Sequence, residues 1–338
     1  MQKIAIIGAG FIGAVHAQAS ANSKILELVA ICDTNEKVGR EVAEKHGCAY
    51  YSDAAKMLSE SKADIVDICV PTFLHKQNIL LAAKHGKHIV CEKPITLTLE
   101  DMDEILDAVG KAGVRFMVAQ VLRFWPEYVA IKKMYDNGDF GDVKMVYANR
   151  LAQHPNWTQW HRDPKNSGGG LFDLHLHDID AVSFMFGQVE RVYAVGWQSG
   201  TGCYNHVVTT LNFKNGVRAV IEGAFDMTEN YPFTMSFRLV GETKTAEYSM
   251  TAGFNLEDIA SARRDLYVFE NGKSPMKKEI DVDEDAYQTE LDYFAQCVEN
   301  SKALTVITPE QSREVIRIML AIRESIETGR AISLSAGI

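Results

Sequence analysis

The sequence has no excess of positive charge, no closely paired cysteines and no long apolar run, and each absence removes a class of protein. Its 35 lysines and arginines face 45 aspartates and glutamates, which gives a formal net charge of -10. A nucleic-acid partner is not expected, because such proteins need a basic footprint to neutralise phosphates. No apolar stretch approaches the roughly 20 residues of a membrane span. The N-terminus has no signal-peptide layout, so we expect a cytoplasmic protein without a membrane partner.

The six cysteines include no Cys-x-x-Cys pair. Several of them lie in apolar runs such as VDICV and IVCEK. A reduced cysteine in such a run behaves as a small hydrophobic residue. The cysteines are therefore interpreted as core residues of a protein from a reducing compartment.

The length of 338 residues exceeds what one hydrophobic core usually supports, so two domains are expected. At the start of the chain, short β-type runs alternate with amphipathic stretches that end in glycine. The runs are KIAIIG (3–8), ELVAICD (27–33), ADIVDICV (63–70), KHIVCEK (87–93) and VRFMVAQ (114–120). They are nearly continuous in apolar residues, which is typical of strands buried on both faces of a parallel sheet. Repeated βα units predict a doubly wound Rossmann domain over residues 1–122.

The pattern changes after RFWPEY (123–128). One helix and one strand are predicted there, and β-type runs then follow one another from residue 189 to about residue 270. Two of the turns between them contain Asn-Gly, a strong hairpin signal. Two final helices are predicted, over 284–300 and 309–329. Residues 123–338 are therefore expected to form an α+β domain with a mainly antiparallel sheet.

The segment GAGFIG directly follows the first strand and opens a helical stretch. Glycines at this spacing allow a tight turn, a close approach of the backbone to a pyrophosphate, and close packing of helix on strand. The pyrophosphate would lie at the positive end of the helix. A dinucleotide site is therefore predicted. Its residues in this turn are Gly8, Gly10, Phe11, Ile12 and Gly13.

Asp33 ends the second predicted strand, 20 residues after Gly13. A carboxylate at this point accepts hydrogen bonds from a ribose diol and repels a 2′-phosphate, which favours NAD as the cofactor. The next residues offer no arginine, although Lys37 is close. NADP remains the alternative.

Two further turns follow the strand candidates at 63–70 and 87–93, namely VPTFLH and EKP. Ligands of open parallel sheets bind beyond the carboxyl ends of the strands, so both turns are expected to face the cofactor. Together with GAGFIG and GGGLFDLHLHDID (168–180), they make the chain resemble the Gfo/Idh/MocA family of sugar and polyol dehydrogenases. The resemblance covers essentially the whole chain, with the motifs in the same order.

The resemblance implies hydride transfer between a nicotinamide ring and a secondary alcohol carbon of a sugar, inositol or glycoside. It also implies a C-terminal domain with an open sheet that is used to form a dimer or tetramer. Carried over to this sequence, the active-site lysine is Lys93, the helix carboxylate is Asp173 and the general base is His177. Pro71, Thr72 and Gln120 would lie near the nicotinamide.

The chemistry of these residue types agrees with those roles. Oxidation of an alcohol needs a base that removes the hydroxyl proton as the hydride leaves, and histidine titrates in the useful range. Asp173 and His177 are four residues apart, so they share one face of a helix. An ammonium such as that of Lys93 would stabilise alkoxide character on the substrate oxygen.

Other candidates have two interpretations each. His75 either contacts the cofactor or bonds to local backbone, and Glu92 supports either its own turn or the nicotinamide ribose. Further possible substrate residues lie in stretches that the family places around the substrate, where aromatic side chains also serve packing. These residues are Arg123, His154, Trp157, Trp160, His161 and Arg162.

The sequence HLHDID imitates a metal-binding run, but on a helix His175 and His177 point about 200° apart and cannot share an ion. No metal is therefore predicted. Three alternatives stay open for function. They are an NADP-dependent reductase, an enzyme that keeps its cofactor bound throughout turnover, and a non-catalytic dinucleotide-binding regulator.

Overall fold

The computed structural model describes residues 1–154, 159–253, 262–280 and 285–334. The chain forms two compact units. The first contains Met1–Phe124 and Asp283–Glu314, and the second contains Trp125–Val282 and Val315–Ile338. This division differs from the expected single boundary at 122/123, because a segment near the C-terminus returns to the first unit.

The first unit is built on a parallel sheet of six strands. Their bounds are β1 Gln2–Ile7, β2 Leu26–Cys32, β3 Ala49–Tyr51, β4 Ile65–Ile68, β5 His88–Glu92 and β6 Phe116–Ala119. The order across the sheet is β3-β2-β1-β4-β5-β6. All residues of β4 and β6 are buried, as the apolar runs predict for strands covered on both faces. The doubly wound parallel fold is confirmed, and β3 is the one strand of this sheet that the sequence reading did not identify.

Five helices connect these strands, and their bounds are α1 Phe11–Asn22, α2 Glu36–His46, α3 Ala54–Glu60, α4 His75–Lys84 and α5 Leu99–Ala112. Helices α2 and α5 end at Gly47 and Gly113, both left-handed with φ of 68° and 65°. Glycine adopts this conformation without a steric penalty, which explains the glycine stop signals in the sequence.

The second unit contains a sheet of nine strands. They are β7 Val143–Leu151, β8 Val189–Gln198, β9 Tyr204–Phe213, β10 Arg218–Ala224, β11 Thr234–Gly241, β12 Lys244–Thr251, β13 Arg263–Glu270, β14 Met276–Lys277 and β15 Ile332–Ser333. The order is β14-β13-β12-β11-β7-β10-β9-β8-β15, and among the described strands of this sheet only β7 and β10 pair in parallel. The mainly antiparallel α+β domain is therefore confirmed. Both Asn-Gly turns connect antiparallel partners, β9 to β10 and β13 to β14.

The remaining helices are α6 Pro126–Asp136, α7 Pro164–Ser167, α8 Leu176–Phe186, α9 Ala286–Glu299 and α10 Pro309–Thr328. A π-helical turn, Leu171–His175, leads directly into α8. Within the second unit, the Arg150 guanidinium is buried and pairs with Asp178 at 2.8 Å. The Tyr128 hydroxyl donates to the same carboxylate at 3.2 Å.

The second part of the first unit, Asp283–Glu314, returns to its N-terminal part. Polar contacts hold this returning segment there. The Ser23 hydroxyl donates to Asp292 at 2.5 Å, and the Arg115 guanidinium donates to the Lys302 carbonyl at 3.0 Å. These contacts pair residues far apart in sequence, so local patterning could not predict them.

All six cysteines are free thiols. Across the described ranges, no helix combines the length and the apolar character that crossing a membrane requires.

Candidate active site

The glycine turn between β1 and α1 has the geometry of a dinucleotide cradle. A Cβ on Gly8 (φ 99°) would lie 2.5 Å from the Cys69 carbonyl oxygen, and a Cβ on Gly13 would overlap the carbonyl oxygen of Gly8. A Cβ on Gly10 would meet no protein atom within 4 Å. Gly10 therefore leaves its space open to a ligand, beside a helix N-terminus that attracts anions. These features fit a bound pyrophosphate.

Asp33 supports this turn from the end of β2. One carboxylate oxygen accepts the backbone N–H of Ala9 at 2.7 Å, and the other accepts the backbone N–H of Asn35 at 2.7 Å. Each carboxylate oxygen has a second lone pair, so the group can still accept bonds from a ribose diol. Phe11 is exposed, and Ile12 is partly buried in the first turn of α1.

A cleft of about 590 Å³ opens beside this turn. The turn contributes Ala9, Gly10 and Phe11 to its lining, and α2 contributes Val38 and Val42. The open side of the glycine turn is thus bordered by apolar groups together with the charged residues Glu41 and Lys45, all of the same unit.

The turns after β4 and β5 are joined by His75. One ring nitrogen lies 2.8 Å from the Val70 carbonyl oxygen and the other lies 3.0 Å from the Pro94 carbonyl oxygen. The ring is 1% exposed, and burial lowers its pKa although these carbonyls oppose the shift. Of the two interpretations of His75, local backbone bonding is the one that these contacts match.

Lys93 follows β5 directly and is partly buried. Its main-chain N–H donates to the Glu92 carboxylate at 2.9 Å. Glu92 therefore supports its own turn, which is one of its two interpretations. Pro71 is partly buried, and Thr72 and Gln120 are buried.

Arg123 lies in the turn after β6 and is buried. Its guanidinium donates to the Val306 carbonyl at 2.6 Å and to the Gln311 side chain at 2.5 Å. These bonds connect the turn to the returning segment of the first unit. A contact of Arg123 with substrate stays a prediction.

In the second unit, the π-helical turn and α8 hold Asp173 and His177, both partly buried. The carboxylate of Asp173 lies 3.7 Å from the His161 ring, and that ring stacks at 3.8 Å on Trp160. The sequence reading predicted a regular helix here. The structure instead begins with a π-turn, a feature frequent at functional sites.

His175 is more deeply buried than Asp173 and His177. It is completely buried and hydrogen-bonded to the Thr209 hydroxyl at 2.8 Å. Burial lowers its pKa to about 3, so it is a neutral core histidine. Asp178, on the same helix, is held by Arg150 in the core.

Three further residues were predicted as possible substrate contacts, namely His154, Trp157 and Arg162. His154 is partly buried, with its ring 6.0 Å from that of Phe225. Arg162 is exposed. Trp157 lies outside the described residues.

His16 on α1 is a polar residue of the first unit that the sequence did not single out. It is completely buried between Asp67 and Glu92. The available signal was Asp67, a charged residue inside the otherwise apolar run IVDI, because a buried carboxylate requires a partner.

Two family models match the chain. The oxidoreductase family with an NAD-binding Rossmann fold matches residues 2–120, and the GFO/IDH/MocA C-terminal domain matches residues 128–247. The chain belongs to the Gfo/Idh/MocA oxidoreductase family. The resemblance carried by the sequence motifs is thereby confirmed.

Two relatives of this Gfo/Idh/MocA chain match over nearly their full length. D-glucoside 3-dehydrogenase of Escherichia coli is 27% identical, covering 98% of this chain and 97% of that protein. Myo-inositol 2-dehydrogenase of Thermotoga maritima is 26% identical, with 98% of each covered. Among solved structures, aldose-aldose oxidoreductase from Caulobacter crescentus, complexed with glycerol, has a TM-score of 0.87 at 20% identity, covering 98% and 99%. This last likeness establishes the fold alone.

Proposed function

We propose that the chain is an NAD-dependent dehydrogenase that oxidises a secondary hydroxyl of a sugar, inositol or glycoside. The observation that carries the proposal is the cradle at Gly8, Gly10 and Gly13, which leaves room only at Gly10, together with Asp33 at the end of β2. The two relatives named above, whose names state dehydrogenation of a glucoside and of an inositol, support the substrate class.

Three side chains are proposed to carry the chemistry. When bound, the nicotinamide supplies the hydride acceptor. Lys93 holds the substrate oxygen and stabilises its developing negative charge. His177 accepts the hydroxyl proton. Asp173 holds Lys93 or His177 in orientation. The partial burial of all three supports these roles, because a partly enclosed charge acts more strongly than one in open water.

The choice of NAD over NADP rests on the charge of Asp33. Its carboxylate is already fixed by two backbone N–H groups, so it cannot turn away from an incoming 2′-phosphate without losing both bonds. Repulsion of that phosphate would weaken NADP binding.

A second copy of this chain is the partner proposed for the nine-stranded sheet. One face of that sheet carries exposed apolar side chains, with Tyr193 43%, Val195 53% and Trp197 70% exposed on β8. Tyr147 on β7 and Phe269 on β13 are each 38% exposed. Large apolar patches of this kind are typical of association surfaces. Light scattering on the purified protein should give the mass of a dimer or tetramer, and a monomer would contradict this assignment.

The function is tested with a panel of inositols, aldoses, sugar acids and glycosides. Each is mixed with NAD or NADP, and formation of the reduced nicotinamide is followed by its absorbance. We expect oxidation of at least one member, with kcat/KM for NAD at least about tenfold that for NADP, or about 1.4 kcal/mol. Preference for NADP would overturn the cofactor assignment. Absence of any reaction would remove the support for dehydrogenase activity.

A further inference from the structure

The first unit buries a polar cluster beneath the EKP turn that the proposed chemistry does not use. We call it the core acid cluster, and its members are His16 on α1, Asp67 in β4, Glu92 at the end of β5 and Glu290 on α9. Their exposures are 0%, 0%, 6% and 0%. Burying this many ionisable groups is costly unless they satisfy one another, so their arrangement requires a reason.

The cluster forms a chain of contacts that ends on Lys93. The Nδ1 atom of His16 is hydrogen-bonded to the Asp67 carboxylate at 2.8 Å, and its Nε2 atom lies 3.2 Å from Oε1 of Glu92, an ion-pair contact without hydrogen-bond geometry. The other oxygen of Glu92, Oε2, accepts the main-chain N–H of Lys93 at 2.9 Å. His16 is thus one side chain away from the backbone of the proposed catalytic lysine.

The charges in this chain can be assigned. Burial opposes a charge on His16, whereas the Asp67 carboxylate favours it through its own charge and its hydrogen bond, and the His16 pKa lies well above its usual value. Burial raises the pKa of the Cys69 thiol, so Asp67 supplies the negative charge. An imidazolium has an N–H on both nitrogens and can face two carboxylates at once. His16 is therefore best described as a buried cation between Asp67 and Glu92.

Glu290 completes the cluster as a neutral acid. Neither of its oxygens has a hydrogen-bond partner within the described part of the chain. Burial raises its pKa well above the usual value; the charge of His16 opposes this shift, and the charges of Glu92 and Asp67 add to it. In this form Glu290 adds no further negative charge beside the other two carboxylates.

A bound metal ion explains the arrangement of these groups less well than hydrogen bonding does. His16, Asp67 and Cys69 each offer a ligand atom, and these atoms lie within 4.8 Å of one another. Tetrahedral zinc holds nitrogen and oxygen ligands at about 2.0–2.1 Å, which separates two ligand atoms by about 3.3 Å. The His16 and Asp67 atoms are 2.8 Å apart, which is a hydrogen-bond distance.

We propose that His16 and Glu92 are positioning residues for Lys93. The buried imidazolium fixes the Glu92 carboxylate, and the carboxylate fixes the Lys93 main chain, so that the ammonium is presented in one place. On the far side of Lys93, the Pro94 carbonyl lies against the His75 ring, which fixes the turn from its other end. The catalytic role of Lys93 in this inference rests on the proposed function.

The test compares Glu92→Ala, Glu92→Gln and His16→Asn with the wild type. The alanine variant loses the acceptor for the Lys93 N–H, whereas glutamine keeps an amide oxygen there. We expect Glu92→Ala to lower kcat by about 100-fold, the effect of about 1 Å of misplacement, with NADH affinity nearly unchanged. His16→Asn should lower kcat in the same direction, and Glu92→Gln should restore most of the activity. Glu290→Gln is the matched control, because it keeps the size of a buried neutral acid and should retain wild-type kcat.

A second readout does not depend on turnover. Lysines are dimethylated with ¹³C-formaldehyde, and the Lys93 methyl signal is assigned by its loss in Lys93→Arg. We expect this signal and its pH titration to change in Glu92→Ala and His16→Asn, but not in Glu290→Gln. An unchanged Lys93 signal in both variants overturns the positioning role. A changed signal in a protein that oxidises no substrate would refute the proposed function and leave the positioning role standing. Stoichiometric metal in the purified protein would overturn the charge assignment.

Discussion

The charge state of Glu290 can be tested through the pH dependence of the free energy of unfolding. Its carboxyl group is completely buried and has no hydrogen-bond partner among the residues that the structure describes. Burial, followed by the nearby charges of Glu92 and Asp67, raises its pKa well above the usual value, while the charge of His16 opposes the shift. In the unfolded chain the same group titrates near pH 4.3.

Between these two pKa values the folded chain holds one proton more than the unfolded chain. The free energy of unfolding therefore falls as the pH rises, by about 1.4 kcal/mol per pH unit for a single proton. The Glu290→Gln variant has no such proton to retain, so it should not show this loss. The raised pKa of His16 also removes stability as the pH rises through it, but this contribution is common to both proteins and cancels in their difference.

Urea unfolding followed by far-ultraviolet circular dichroism, in steps between about pH 5 and pH 8, measures this difference. Relative to the wild type, Glu290→Gln should gain about 1.4 kcal/mol per pH unit up to the folded pKa of Glu290. Curves that run parallel over the whole range would show that Glu290 carries no retained proton and would refute the charge assignment of the core acid cluster.

Three further predictions concern other parts of the chain. Gly13→Ala would place a Cβ against the Gly8 carbonyl, so NADH affinity in a fluorescence titration should fall at least about tenfold; unchanged affinity would contradict the cradle. Asp178→Asn leaves the buried Arg150 charge without its counter-ion and should cost about 3–5 kcal/mol in chemical unfolding, whereas a loss under about 1 kcal/mol would show that the pair is dispensable. Val195→Asp introduces a charge into the exposed apolar face of β8, so light scattering should report a smaller assembly than the wild type forms; an unchanged mass would exclude that face as the interface.

The parts of the fold with strong local patterning were predictable from sequence. The apolar runs of β1, β2, β4, β5 and β6 and the glycine stops of α2 and α5 correspond to observed elements. Strand β3 has only three residues, too few for a periodic signal. The return of the 283–314 segment to the first unit depends on contacts between residues far apart in sequence, such as Ser23 with Asp292.

The candidate site also contains parts that were predictable from the sequence and parts that were not. The glycine turn and Asp33 have a fixed spacing with a physical reason, and the structure gives them the expected local geometry. The π-turn at Leu171–His175 has no sequence signature of this kind. His16 was also beyond local patterning, because its partners Asp67 and Glu92 come from two other elements of the sheet.

The central claim is that this Gfo/Idh/MocA oxidoreductase uses Lys93 to transfer a hydride from a sugar or polyol to NAD. Its most direct test measures NADH formation from the best substrate of the panel with wild type, Lys93→Met and Lys111→Ala. Lys111 is an exposed lysine of the same unit that pairs with Asp107, one helical turn away, at 2.6 Å. We predict that Lys93→Met lowers kcat by about 10²–10⁴-fold with NADH affinity retained, and that Lys111→Ala matches the wild type. Wild-type turnover in Lys93→Met would contradict the account.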